Sequence, residues 1–268
     1  MSDIYNIAHR GARCLAPENT MAAIEKAWQL GAHGVEVDVA VTLDGELILF
    51  HDDLLTRTTD VSRVFPQRRQ QPFTTFTLKE LQRLDAGSWF VETDPLGEIA
   101  RGNIPASELA AMRGIRIPLL VDVLRFIKNK NWYINLELKD LPAPQKDFPI
   151  VLEVLQLLDQ VRLKPRNLSI SSFNFNYLRQ IQGIRPDLEV NALIGFPGSG
   201  IQDWGTYEFA VYNANSAYTD ETQIDKARAN GCRVNLFTVN DPDEMKRFLK
   251  AGVEKLITDF PQILRDLK

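Results

Sequence analysis

Glu36 and Asp38 stand two residues apart in the stretch 34–52, where Val35, Val37 and Val39 alternate with Glu36, Asp38 and Ala40. Strand side chains of one parity share a face, so both carboxylates point the same way, about 7 Å apart along the chain. Residues 134–139 repeat the pattern, with Glu137 and Lys139 on one face and Leu136 and Leu138 on the other. A solvent-facing strand would carry such acids for solubility alone. Two apolar strands that both gather acids on one face instead need a cation. An unpaired buried carboxylate costs several kcal/mol, against a total stability of about 5–15 kcal/mol. Ligation by oxygens alone, from Glu36, Asp38 and Glu137, favours Mg2+ or Ca2+ over zinc. His9-Arg10 closes the apolar segment 4–8, and His51-Asp52 closes 47–50. Imidazole, with an ordinary pKa of about 6.5, suits proton transfer near neutral pH. Arg10 and Lys139 are cationic donors suited to a phosphate.

A scaffold must bring these residues together. Segment 4–8 reads as a first strand. Ala23, Ile24, Ala27 and Trp28 recur at helical spacing in 21–30, and Gly31 is a plausible stop. Strand 34–41 turns at Thr42-Leu43-Asp44-Gly45, where Asp-Gly is a hairpin signal. Residues 52–118 break the rhythm, with a short helix near 78–84, and read as an insertion capping the site. Beyond it the chain alternates. Helices are expected at 118–128, 149–161, 174–184, 219–230, 242–250 and 261–267. Strands are expected at 134–139, 168–171, 188–194, 209–212, 232–239 and 255–258, with a weak helix after the loop at 195–200. Strands alternating with helices imply a parallel sheet. Eight such units close into an α/β TIM barrel, a (β/α)8 fold with its active site at the C-terminal strand ends. There the first three barrel strands deliver His9, Arg10, Glu36, Asp38, Glu137 and Lys139, and the hairpin returns His51. No composition break divides 1–268, which is expected to be a single domain.

The 268 residues are 44% hydrophobic and 25% charged, ordinary for a globular protein. A net charge of −4 argues against a nucleic-acid partner, and no 18-residue apolar run suggests a membrane span. The opening segment is too short and its flank too acidic for a signal peptide. Cys14 and Cys232 are read as reduced thiols of a cytoplasmic protein.

Taken together, His9-Arg10-Gly11, Pro17-Glu18-Asn19-Thr20, Glu36-Val37-Asp38-Val39 and His51-Asp52 resemble the glycerophosphodiester phosphodiesterases. The likeness continues through Arg57-Thr58-Thr59, 84–90, Glu137-Leu138-Lys139, Ser172-Phe173 and Thr238-Val239-Asn240 to Thr258-Asp259, in order along nearly the whole chain. The resemblance implies a TIM barrel with a small insertion and cleavage of a small-molecule glycerophosphodiester to glycerol 3-phosphate and an alcohol. It also implies one divalent cation on Glu36, Asp38 and Glu137, acid–base work by His9 and His51, and phosphate binding by Arg10 and Lys139. Three departures bear on substrate preference. Phe237 stands where the family often has Trp, Leu119 follows Pro118 where Thr is usual, and 91–117 looks long.

Other conspicuous residues have plainer readings. His33 is a loop residue, and Asn135 hydrogen-bonds inside the barrel. Asp52 orients a neighbour or is solvated. Trp89 and Phe90 roof the pocket or fill the insertion's core. Phe237 belongs at the site mouth with substrate, and the loop 195–200 is a weak phosphate cradle. Arg68-Arg69 reads as solvated charge, Asn19 as a helix start, and Glu18 as either a metal neighbour or a helix start. Two rivals remain: a phospholipase D-type barrel, which would look secreted and disulfide-bridged, and a non-catalytic barrel, which would not need two histidines.

Overall fold

The computed structural model describes residues 5–195 and 204–267. Alternation decides the inner and outer layers. β2 (Gly34–Val41) is buried along its whole length, its valines turned to the helices and its acids to the barrel interior. β1 (Tyr5–His9), β2, β4 (Tyr133–Leu138), β5 (Leu168–Ser172), β6 (Glu189–Ile194), β7 (Val211–Asn215), β8 (Arg233–Phe237) and β9 (Lys255–Thr258) form the expected closed parallel barrel of eight strands. β3 (Leu47–Leu49) is the antiparallel hairpin strand and pairs with the end of β2 at 39–41, beyond the part of β2 that pairs with β1.

Register then places the chemistry. His9 lies opposite Glu36 across β1 and β2, Asp38 opposite Glu137 across β2 and β4, and Ala8 opposite Thr258 across β1 and β9. Below that rim the interior is held by polar pairs. Asn135 donates to Ser171 Oγ at 2.9 Å and accepts from Ser169 Oγ at 2.8 Å, while Asn235 donates to Asn213 at 2.8 Å. Asn135 is thus the interior hydrogen-bonding residue expected. His33 is structural, its Nδ1 accepting from the Asn6 N–H at 2.9 Å.

Helices α1 (Met21–Gln29), α6 (Leu120–Lys130), α7 (Ile150–Val161), α8 (Phe175–Ile184), α9 (Glu221–Ala229), α10 (Pro242–Lys250) and α11 (Pro261–Asp266) pack outside. Among the described residues no helix joins β6 to β7. Aromatics fill that side instead: Trp204 stacks on Tyr212 at 5.5 Å, and Phe209 meets Phe175 at 5.1 Å. β7 starts two residues later than the hydrophobic run suggests, since Phe209 serves this outer cluster. Residues 196–200 of the glycine loop lie outside the described residues.

The region between β3 and α6 carries short helical segments α2 (Val61–Val64), α3 (Leu78–Leu81), α4 (Ser88–Thr93) and α5 (Ala106–Ala111). Phe73, Phe76, Leu81 and Leu84 join the barrel's own core, whereas Phe90, Ile104 and Met112 form a smaller cluster with Cys14 and Ala23. Phe90 is therefore core. Arg68 is not the solvated charge its sequence context suggests: its guanidinium lies 4.0 Å above the Phe76 ring and donates to Glu80 and the Thr75 carbonyl. Arg69 is exposed.

Candidate active site

The chain leaves β1 in a left-handed bend. Arg10 has φ 53° and Gly11 φ 85°. A Cβ on Gly11 would come within 2.6 Å of the Ala23 backbone, so only glycine fits where the loop crosses α1. The bend aims the Arg10 N–H at Glu36 Oε2 (3.0 Å), its Nη1 at Glu18 Oε1 (2.8 Å) and its Nε toward Asp38 Oδ2 (3.3 Å). That last pair is close but poorly aligned, and Arg10 Nε makes no hydrogen bond.

Glu36, Asp38 and Glu137 offer oxygens that all lie within 4.8 Å of one another. Glu36 Oε1 is buried with no hydrogen-bond partner. Burial, then the charges of Asp38 and Glu137, raise the Glu36 carboxyl well above its ordinary value. Burial and the Asp38 charge likewise push Glu137 up to about 7, against the pull of Lys139. Burial works against ionised Asp38 too, yet Arg10, His51, Lys139 and a hydrogen bond from Asn19 hold its carboxyl below the usual range. Three crowded carboxylates with an orphaned oxygen fit a hard divalent cation bound by oxygen.

Each histidine at the rim is backed by a carboxylate. His9 Nδ1 lies 2.6 Å from Asp259 Oδ1, and its Nε2 is 3.9 Å from Glu36 Oε2. His51 Nδ1 lies 2.7 Å from Asp52 Oδ1, so Asp52 orients its neighbour. Both acids titrate below their ordinary range. Burial opposes this, but for Asp259 the His9 ring, Arg13 and Asn240 prevail, and for Asp52 His51 and Arg57 do. Ionised Asp259 and Asp52 therefore accept from Nδ1–H, leaving Nε2 as the working nitrogen. His9 is the deeper ring, its own pKa lowered by burial despite Asp259.

The eight site residues expected from the sequence gather at this rim. Lys139 follows β4, with Nζ 2.9 Å from the His51 carbonyl and 3.9 Å from Asp38 Oδ1. Phe237 ends β8 at the mouth, edge-on to Phe173 at 6.2 Å. Asn19 differs from expectation. Thr20 caps α1, accepting from the Ala23 N–H at 3.3 Å, while Asn19 turns inward, donating to Asp38 Oδ2 at 2.7 Å and accepting from its N–H. Sequence reasoning did not assign Asp259, Asn240, Arg13 or Arg57 to the site. Asp259 directly follows β9 and, with Ala8 opposite Thr258, lies level with His9; its place at a strand end was its available signal. Trp89 lies beneath the Arg57 guanidinium, 5.8 Å from it.

Residues 9–263 match the model of the Glycerophosphoryl diester phosphodiesterase family, and the chain belongs to that enzyme family. A glycerophosphodiester phosphodiesterase of Caldanaerobacter subterraneus is 31% identical, covering 97% of this chain and 96% of that one. A putative glycerophosphodiester phosphodiesterase of Bacillus subtilis, YhdW, is 32% identical over 99% of this chain and 98% of that one. Among solved structures, an Oleispira antarctica phosphodiesterase in complex with the product sn-glycerol-3-phosphate superposes with a TM-score of 0.78 at 28% identity, covering 97% of this chain and 95% of that one. A Silicibacter pomeroyi structure shares the fold at TM-score 0.82 and 22% identity, over 100% of this chain and 94% of that one. No helix among the described residues is long and apolar enough to cross a membrane.

Proposed function

We propose that the chain hydrolyses a small glycerophosphodiester to sn-glycerol 3-phosphate and an alcohol. In this reading Glu36, Asp38 and Glu137 hold one divalent cation, Mg2+ or Ca2+, and His9 and His51 carry the protons. The observation that carries it is the pairing of an under-satisfied carboxylate trio with two carboxylate-backed imidazoles at the same strand ends. The family and the product complex of the Oleispira antarctica relative supply the substrate class.

A bound cation would offset the negative charge of the phosphoryl oxygens. The chain's own groups do the rest. Arg10 and Lys139 add positive charge beside the phosphate, and Phe237 borders the organic part of the substrate. One imidazole Nε2 takes a proton from the attacking hydroxyl, and the other gives a proton to the departing alkoxide. A binding-only barrel would not need that second arrangement. A cytoplasmic setting fits Cys14 and Cys232, which are buried and unbridged; burial pushes the Cys14 thiol up to about 12 and keeps it unreactive.

The test is a coupled assay for glycerol 3-phosphate released from glycerophosphocholine and other glycerophosphodiesters, with Mg2+ or Ca2+ and then with EDTA. Release that EDTA stops is the expected result. No release from any of them with metal supplied would leave the binding-only barrel standing.

A further inference from the structure

We infer that Glu18 is a positioning residue that sets the two histidines and Arg10 through three guanidinium groups. Its side chain is 3% exposed, and both oxygens are fully used. Oε1 accepts from Arg10 Nη1 at 2.8 Å and Arg57 Nη2 at 2.7 Å, while Oε2 accepts from Arg13 Nη2 and Arg57 Nη1, each at 3.0 Å.

Each arginine then leads to a different part of the rim. Arg57 grips Asp52 from the other side, Nε to Oδ2 at 2.6 Å and Nη2 to Oδ1 at 2.8 Å, and Asp52 holds the His51 ring. Arg13 Nη1 reaches Asp259 at 3.3 Å, and Asp259 holds the His9 ring. Arg10 reaches Asp38 and, through its N–H, Glu36. A planar fork that grips one carboxylate on each edge transmits orientation, whereas a lysine would supply charge without direction. His9, Glu18, Asp38 and His51 come from separate segments, and Glu18 is where their supports meet. Burial disfavours its charge, yet Arg57, Arg10 and Arg13 keep it ionised far below the ordinary carboxylate range.

The inference rests on the reading of His9 and His51 as proton carriers, and its test separates the two. The chain has three histidines, and His33 sits away from the rim, so imidazole 15N spectra carry an internal reference. In Glu18→Gln the signals of His9 and His51 should move while that of His33 stays. Turnover should fall about 10- to 100-fold with KM changed less than about threefold, the usual size of losses from supporting residues. Should Glu18→Gln not fold, with all three signals collapsing to free-imidazole positions, Arg57→Lys decides. It should move His51 and leave His9 and His33. Unmoved His9 and His51 signals in folded Glu18→Gln, or an unmoved His51 in Arg57→Lys, would overturn the inference. His9→Ala and His51→Ala that keep full turnover would instead remove the proton-carrier reading, and with it the catalytic meaning of Glu18.

Discussion

Both ends of the barrel bury charge, but only one leaves it unbalanced. At the N-terminal mouth Lys255 Nζ meets Glu189 Oε1 at 2.7 Å and lies over the Tyr133 ring, while Arg233 closes on the other Glu189 oxygen at 2.7 Å. Arg233 also reaches Glu254 at 3.4 Å, so these two cations face two carboxylates. At the C-terminal rim, Glu18, Glu36, Asp38, Asp52, Glu137 and Asp259 face Arg10, Arg13, Arg57 and Lys139. Six acids meet four permanent cations, a deficit that one divalent ion cancels. A cluster of buried charges that does not balance within itself points to function, and a cluster that does balance points to the fold.

Removing the cation should break the rim most. EDTA is expected to lower turnover by at least about 10³-fold, restored by added Mg2+ or Ca2+. Full activity in EDTA would make the two ends of the barrel alike. Next, His9→Ala and His51→Ala should each cost about 10²- to 10⁴-fold in kcat while the thermal melt stays cooperative.

The charge deficit also has a pH signature. Glu137 titrates near 7 in the folded chain against an ordinary 4.5, and Glu36 is also raised. Folded-state pKa values above unfolded ones favour folding fully below about 4.5, and that contribution is lost as pH rises through about 7. Metal-free protein should therefore lose melting temperature between pH 6 and 8 relative to Glu137→Gln, by a few degrees. Cation affinity should run the opposite way and weaken below pH 7 as protons compete. Calorimetric titration at pH 6 and 8 checks this; equal affinities would mean that no proton leaves.

The smallest effect on turnover belongs to the other end. Lys255→Met removes one partner of a buried pair and should destabilise the fold by about 3 kcal/mol, read by urea unfolding, with kcat within about twofold of the parent. A large kcat loss in a folded variant would mean that the two ends communicate.

Much of the rim was legible because its signals are local. Alternation of Glu36 and Asp38 with valines marks an inward acid face, and Glu137 repeats it on the strand that proves to be the neighbour. Arg57 and Asp52 were harder. Both are ordinary polar residues at the start of an irregular region, and nothing in their spacing shows that one fork grips Asp52 and Glu18 together. Asn19 was misread because Asn is a common helix cap, and Thr20, one residue on, took that place.

By itself the sequence determined the barrel and which side chains face into it, since a two-residue period and the alternation of strands with helices are properties of short stretches. Tertiary structure decided the partners. Closing β9 against β1 puts Asp259 beside His9, a contact between residues at opposite ends of the chain, and the left-handed bend at Arg10 sends one guanidinium to Glu18 and Asp38. Register and barrel closure are collective results of the whole sheet, and no local pattern encodes them.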